Sequence, residues 1–242
     1  MQKTDKQKLA SNNNLALYQA VFASHNKTLE HNDGIYFLPV KTPPLYSNLA
    51  TRSEDWQPDD VFQQIDKLAK EESWDDWSIK DSFQCLDLTK FGFEKLFDAQ
   101  WIYLESGHFS AAETSDPVDF KVVKSEDDLQ LWIEVWGEGV ELGNQIYNKA
   151  LVENSDVLFI VGYVENKPKH VALLNKSEDV IGVSNFFVPE KTEAAWSSLV
   201  SFIQNHFGTK DIVGYEDAET VSKIKSVGFE PVGDLTVWLK KL

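Results

Sequence analysis

The feature that most constrains the fold of this chain is a pattern that occurs twice. Residues 92–105 read GFEKLFDAQWIYLE, and residues 228–241 read GFEPVGDLTVWLKK. Four identities recur at the constant offset that separates positions 92 and 228: Gly92, Phe93, Glu94 and Asp98 match Gly228, Phe229, Glu230 and Asp234. Upstream, Ser47–Asn48 matches Ser184–Asn185, and the offset between these two pairs is one residue longer than the offset between Gly92 and Gly228. Two anchors in the same order predict two related units in tandem.

Each copy carries an apolar helical pattern between its anchors. In the second copy Thr192 is a plausible N-cap, and the apolar face that follows contains Trp196, Leu199, Val200, Ile203 and Phe207. In the first copy the helix start is marked by Pro58, Asp59 and Asp60, and its face contains Val61, Ile65, Leu68 and Ala69. Each Gly-Phe pair predicts a helix end, with the glycine left-handed and the phenylalanine beginning the next strand.

The two copies differ in what precedes the Ser-Asn anchor. Before Asn185 the pattern predicts a strand over 120–123, a helix with Leu129, Trp132, Ile133, Trp136 and Val140 on one face, and strands over 157–164, 171–174 and 180–188. Before Asn48 it predicts only a helix, with Leu15, Tyr18, Val21 and Phe22 on one face, and a strand over 35–40. We therefore predict a truncated unit over 1–105, a linker over 106–118 and a nearly complete unit over 119–242.

Composition excludes several classes of partner. The chain has 242 residues and a formal net charge of −16, which argues against nucleic acid and anionic membranes because both attract Lys and Arg. The acidic field could favour a cationic amine substrate, or it could be only a solvated surface. Cys85, the single cysteine, is expected to be a small core residue, and five scattered histidines suggest no metal site. The N-terminus lacks an apolar segment and no run is long enough to cross a bilayer, so we expect a cytoplasmic protein.

The order of these elements, together with two stretches of sequence, resembles the GNAT superfamily of N-acetyltransferases. Residues 179–203 read DVIGVSNFFVPEKTEAAWSSLVSFI, and residues 211–239 read DIVGYEDAETVSKIKSVGFEPVGDLTVWL. Residues 39–105, with PVKTPPLYSNLA and WIYLE, are similar to the truncated N-terminal unit of two-unit members. The resemblance implies an α+β fold with two tandem GNAT-like units, in which mixed, mostly antiparallel sheets are flanked by helices.

The resemblance also implies acetyl-CoA as cofactor, with its diphosphate at the N-terminus of the helix after the fourth strand. Counted from Pro189, the three slots of the family signature hold Thr192, Ala195 and Ser197. The usual Arg or Gln is absent, and Glu190 and Glu193 flank the helix start with only Lys191 opposing them. The candidate cofactor-binding residues are Phe187, Val188, Thr192, Glu193, Ala194, Ala195 and Ser197. The alternative interpretation is an N-capped packing helix.

The catalytic assignment is weaker, because the family's tyrosine slot, four residues before Gly228, holds Ile224. Ile224 shares a helical face with Val221 and is expected in the core. Tyr215 is the nearest replacement acid, and Glu216 or Asp217 could accept the proton of a substrate ammonium. The alternative for the acidic pair is a helix N-cap. Because Asn185 recurs as Asn48, we expect it to bridge strand backbones.

The leading hypothesis from sequence is therefore an acetyl-CoA-dependent N-acyltransferase acting on a small amine, with Tyr215 and Glu216 as the catalytic pair. The alternative is a GNAT-fold protein that has lost cofactor binding and acts as a ligand-binding or interaction module.

Overall fold

The computed structural model describes residues 1–31, 34–38, 40–54, 62, 66, 70, 76–112, 118–178 and 180–241. The first half begins with a long helix, α1 (Lys3–Ser24). Its strands are β1 (Glu30–His31), β2 (Ile35–Phe37), β3 (Leu49–Thr51), β4 (Asp76–Asp81) and β5 (Glu94–Leu104). The predicted helix face with Val61, Ile65, Leu68 and Ala69 lies outside the described residues.

The second half contains a fuller set of elements. They are, in order, β6 (Asp119–Val122), α2 (Glu126–Trp136), α3 (Val140–Ile146), α4 (Lys149–Val152), β7 (Val157–Val164), β8 (Lys167–Ser177), β9 (Val180–Phe187), α5 (Glu193–Phe207), β10 (Asp211–Glu216), α6 (Ala218–Ile224) and β11 (Glu230–Lys241). Residues 165 and 166 form the turn between β7 and β8, and both have positive φ, as a tight hairpin requires. The predicted strand over 171–174 is the buried middle of the longer β8.

The described strands form one continuous sheet in the order β1-β2-β3-β4-β11-β5-β10-β9-β8-β7-β6. Two neighbouring pairs are parallel, β3 with β4 and β9 with β10, and the remaining pairs are antiparallel. The predicted α+β class, with a mixed and mostly antiparallel sheet flanked by helices, is confirmed. Strands of both halves belong to this one sheet.

The two halves exchange their last strands at the centre of the sheet. β5 lies between β11 and β10, and β11 lies between β4 and β5. In the central ladder, between β5 and β11, Ala99 pairs with Leu235 at the centre. Tyr103 pairs with Glu230 on one side of this pair, and Glu94 pairs with Leu239 on the other side. The correspondence between the two copies of the pattern maps one of these outer pairs onto the other. The ladder therefore has two-fold symmetry, with the axis at the pair Ala99–Leu235.

The two Gly-Phe pairs occupy equivalent places. Each glycine ends a short 3-10 helix, over Thr89–Phe91 and Lys225–Val227, and each has the left-handed conformation, with φ of 81° at Gly92 and 110° at Gly228. The following Phe93 and Phe229 are buried and lead into β5 and β11. This part of the sequence pattern therefore predicts local structure correctly, because only glycine adopts this conformation without strain.

The Ser-Asn anchors do not correspond in the same way. Leu49 pairs with Ile79, which faces Trp238, whereas Val183 pairs with Gly214, which faces Ile102. Since positions 102 and 238 are equivalent in the central ladder, Leu49 corresponds to Val183 and the alignment of Asn48 with Asn185 is wrong. The registers of the parallel pairs β3–β4 and β9–β10 therefore differ from the correspondence that the two-residue Ser-Asn match indicates.

Helices cover both faces of the sheet and build two principal cores. One core lies under α5 and α6 and contains Trp196, Leu199, Ile203, Val221 and Ile224. The other lies under α1 and α2 and contains Phe22, Trp132, Ile133, Phe159 and Leu173. Ile224 is fully buried, as expected for a core position.

Two expectations about individual side chains have opposite outcomes. Trp132, Trp136, Trp196 and Trp238 are all buried, which confirms core packing. Cys85 is exposed rather than buried, because it lies in the loop that follows β4 and its thiol points towards Asp81. Within the described residues no helix is both long and apolar enough to cross a membrane.

Candidate functional site

The candidate site begins where two parallel strands separate. β9 and β10 pair from Val180 opposite Asp211 to Val183 opposite Gly214, and their pairing stops there. Beyond that point β9 follows β8 as far as Phe187, while Tyr215 and Glu216 stay paired with β5. The two strand ends therefore diverge and leave an opening in the sheet.

A bulge in β9 lies at the same level. Val171 faces Phe187 and Leu173 faces Ser184, so β9 holds one residue more than β8 between these pairs. Asn185 lies within this stretch and has φ of 50°, an unusual value for a residue other than glycine. A bulge of this kind turns backbone polar groups out of the ladder and often lies beside an active site. The sequence pattern of β9 contained no signal for it.

Asn185 does not bridge strand backbones as expected. Its side-chain nitrogen donates to the hydroxyl of Tyr147 at 2.8 Å, across the opening of the sheet. Asn48 does have the bridging role, since its side-chain oxygen accepts from the backbone N–H of Ser78 at 3.0 Å. The two asparagines therefore have different roles, in line with their different registers.

A cavity of about 1130 Å³ lies at the opening, and both halves of the chain line it. Its walls come from α1, the loop 41–48, β4, β5 and β11 on one side, and from α2, α3, β9 and β10 on the other. Tyr46 and Tyr147 border it, and burial raises the pKa of both phenols, so both hydroxyls stay protonated near neutral pH. The volume suits a small molecule of ordinary metabolite size.

The predicted catalytic pair lies in this cavity, because Tyr215 and Glu216 both line it. Burial raises the pKa of Glu216, and the ammonium of Lys191, 2.7 Å from its carboxylate, opposes the rise. The raised pKa moves the carboxyl towards the range in which a general base works near neutral pH. Asp217 is the N-cap of α6 and accepts from the backbone N–H of Thr220 at 2.9 Å, so it is not available as the base.

Lys80 is a cavity residue that sequence reasoning missed. It is 2% exposed, and its ammonium donates to the side-chain oxygen of Asn14 at 2.8 Å. The ammonium also lies 4.3 Å from the ring centre of Tyr215 and 5.0 Å from that of Tyr18. Lysines in strands mostly point to solvent, and the sequence of β4 did not reveal which of its faces the cavity borders.

The N-terminus of α5 carries the predicted cofactor residues. The hydroxyl of Thr192 accepts from the backbone N–H of Ala195 at 3.2 Å, which confirms the predicted N-cap. In the part of the chain that the structure describes, no acceptor lies on the backbone N–H groups of Glu193 and Ala194. Two free donors at a helix N-terminus fit an anion such as a diphosphate.

The side chains around this helix end fit an anion less well than the backbone does. Val188, Ala195 and Ser197 are buried, and the hydroxyl of Ser197 accepts from the backbone N–H of Ala112 at 2.9 Å. Lys191 is paired with Glu216 and so does not offset the exposed Glu190 and Glu193. Phe187 lies apart from the helix end and lines the cavity, 38% exposed. The structure thus places Phe187 with the catalytic pair and the other six predicted residues along the start of α5.

Comparison with solved structures finds several proteins of similar fold. A GCN5-related N-acetyltransferase from Kribbella flavida is similar over 96% of this chain and 95% of its own, at 14% identity and a TM-score of 0.66. A conserved protein of unknown function from Staphylococcus epidermidis covers 88% of this chain and 92% of its own, at 14% identity and a TM-score of 0.64.

A GCN5-related N-acetyltransferase from Sphaerobacter thermophilus covers 100% of this chain and 94% of its own, at 9% identity and a TM-score of 0.55. No protein-family model and no curated protein matches the sequence. At these identities the likeness shows a shared fold alone.

Proposed function

We propose that this GNAT-fold chain is an acetyl-CoA-dependent N-acyltransferase that acts on a small amine. The observation that carries the proposal is the position of Glu216, a buried carboxylate with a raised pKa at the point where β9 and β10 separate. The bulge in β9 and the large cavity border the same opening, and Lys191, two residues before α5, also lines that cavity. Together they bring an anion site, a base and room for an acceptor to one place.

The residues that would hold acetyl-CoA are those at the start of α5. The backbone N–H groups of Glu193 and Ala194 would donate to the diphosphate, and the small side chains of Ala194 and Ala195 leave its approach open. Phe187 and Val188 would border its chain. The bound cofactor supplies a thioester whose carbonyl carbon an amine can attack.

The chain's own side chains then move the protons. Glu216 takes the proton of the substrate ammonium, so that the nitrogen lone pair is free to form the new C–N bond. Tyr215, which lines the same cavity, would supply a proton to the sulfur as the C–S bond breaks, and its phenolate would take the second proton that the nitrogen loses on becoming an amide. Polar backbone groups that the bulge at Asn185 turns out of the ladder stabilise the negative charge that develops on the carbonyl oxygen.

The test is a titration of the protein with acetyl-CoA, followed by its melting temperature and its tryptophan fluorescence. A ligand at about 100 times its dissociation constant adds about 2.7 kcal/mol to the free energy of unfolding, which a melting curve resolves readily. A melting temperature unchanged at millimolar acetyl-CoA would contradict the proposal.

A second arm separates binding from chemistry. Glu216→Gln should bind acetyl-CoA as the parent does but release free CoA thiol at least tenfold more slowly in the presence of an amine acceptor. Glu219→Gln removes an exposed carboxylate one turn along α6 and is the matched control. Equal thiol release from all three proteins would remove Glu216 from the mechanism.

One observation favours the alternative of a GNAT-fold binding module. Lys191, beside the α5 N-terminus, is paired with Glu216, while Glu190 and Glu193 are exposed there. A chain that binds small molecules in the cavity but ignores acetyl-CoA would be such a module.

A further inference from the structure

The cavity contains a buried cation that the described residues leave without a carboxylate partner. Lys80 is 2% exposed, its ammonium donates to the neutral side-chain amide of Asn14, and its neighbours are the rings of Tyr18, Tyr215 and Trp101. In the described part of the chain no acidic side chain lies within ion-pair distance of it. Amide oxygens and ring faces attract an ammonium group but do not neutralise it.

Burial lowers the pKa of Lys80, but the neighbouring Tyr18 and Tyr215 raise it by more, so Lys80 stays an ammonium, and an anion that enters the cavity would balance its charge. The balance of charge in the lining agrees with this reasoning. Four lysines and three acidic side chains line the cavity, whereas the chain as a whole has 23 basic and 39 acidic residues. Lys191 and Glu216 neutralise one another, so Lys80 is the inner charge that remains.

The mouth of the cavity has the opposite character. It is lined by the exposed hydrophobic side chains Leu45, Leu96, Phe97 and Phe187, whose exposed fractions are 66%, 57%, 41% and 38%. Exposed apolar side chains gathered at one opening mark a place where apolar ligand surface can be buried. The cavity is therefore charged at its inner end and apolar at its outer end.

We propose that the acceptor is an apolar α-amino acid whose carboxylate pairs with Lys80. One buried ammonium balances one negative charge, which a carboxylate carries and a phosphate dianion exceeds. With the carboxylate at Lys80, the amine attached to the same carbon lies near Tyr215, in the cavity that Glu216 also lines, and the apolar side chain extends towards the mouth. The fate of that amine rests on the proposed acyl transfer, but the recognition of the carboxylate does not.

The test is therefore binding without acetyl-CoA. L-phenylalanine, L-leucine and 3-phenylpropionate are compared with 2-phenylethylamine, which lacks the carboxylate, each at about 10 mM with melting temperature as the readout. The carboxylates should stabilise the wild-type chain and the amine should not. In Lys80→Met the affinity for the carboxylates should fall by roughly tenfold or more, because a charge-assisted pair is lost. Lys223→Met, an exposed change on α6, should leave binding unaltered.

The ligand-free proteins give a second readout. If Lys80 has no charged partner until a ligand anion binds, the ligand-free Lys80→Met variant should melt at the same temperature as the wild-type chain or higher, because an unpaired buried charge is removed. A clearly lower melting temperature would show that Lys80 is a structural cation and would overturn the inference. So would binding of 2-phenylethylamine as tight as that of L-phenylalanine, or no binding of any carboxylate to the wild-type chain. Acetyl-CoA binding is measured separately, so failure of the proposed transfer would not be mistaken for failure here.

Discussion

Removal of the two exposed carboxylates at the start of α5 should tighten acetyl-CoA binding. The proposed diphosphate position lies at the N–H groups of Glu193 and Ala194, beside the side chains of Glu190 and Glu193. Both glutamates are exposed, so the dielectric constant of water applies to their repulsion. The perturbation is the double change Glu190→Gln with Glu193→Gln, which keeps side-chain size and helix propensity nearly constant.

The magnitude follows from Coulomb's law. Two unit charges about 8 Å apart in water repel by about 0.5 kcal/mol, so two glutamates facing a dianion oppose it by about 2 kcal/mol before screening. With the Debye length about 30 Å at 0.01 M salt, the double variant should bind about tenfold more tightly than the parent. At 0.15 M salt the gain should shrink to about threefold, and at 1 M salt it should vanish.

The assay is a fluorescence or calorimetric titration with acetyl-CoA at these three salt concentrations. The control is Glu94→Gln with Glu153→Gln, which removes the same two charges from exposed positions outside α5 and the cavity. An equal gain in the control would assign the effect to net charge rather than to the helix end. Unchanged affinity of the test variant at 0.01 M salt would refute the diphosphate position itself.

Three further predictions concern stability. Because burial raises the pKa of Glu216, the folded chain holds that proton more tightly than the unfolded chain does, and the stability that this provides at low pH is lost as pH rises through the folded pKa. In urea unfolding, Glu216→Gln should therefore gain stability relative to the parent between about pH 5 and pH 8. An equal difference in stability at both pH values would contradict this. Gly228→Ala should destabilise the folded chain far more than Gly92→Ala does. An added Cβ would lie 2.3 Å from the carbonyl oxygen of His108 at Gly228, but 3.7 Å from its nearest neighbour at Gly92. Similar urea midpoints for the two variants would show that the close approach at Gly228 is not a constraint. Asn185→Gly should keep the melting temperature within a few degrees of the parent, whereas Asn185→Val should lower it by an amount equivalent to about 1–2 kcal/mol, because a β-branched residue resists positive φ; equal effects would argue against the bulge.

The sequence was sufficient for those features that have a local cause. The left-handed glycines 92 and 228 and the N-cap Thr192 each depend on a few neighbouring residues, and each was predicted correctly. The apolar periodicity likewise identified α2 and α5, and most residues of the two predicted faces are buried. Val140 was wrongly placed on the α2 face, because α2 ends at Trp136 and Val140 is an exposed residue at the start of α3. The division of the chain at 106–118 remains a prediction.

What the sequence could not reveal depends on residues far apart along the chain. Lys80 and Tyr215 meet only because β4 and β10 lie on either side of the exchanged strands, so no local pattern indicated their contact. The bulge at Asn185 is a mismatch between β8 and β9 and is visible only once their register is known. The same limit explains the wrong match of Asn48 to Asn185, which relied on two identities without the ladder that places them.

The exchange of β5 and β11 has a consequence for how the polypeptide reaches its final state. Pairing of residues 94–104 with 211–216 and 230–239 links segments more than a hundred positions apart, and such contacts form late because they close long loops. A ribosome would have to finish nearly the whole chain before β5 could acquire either neighbour. Until then the end of β5, residues 101–104, is unpaired and largely apolar. An exposed strand edge of this kind promotes aggregation with other chains. Slow refolding is therefore expected of a fold that builds one cavity from two interlocked halves.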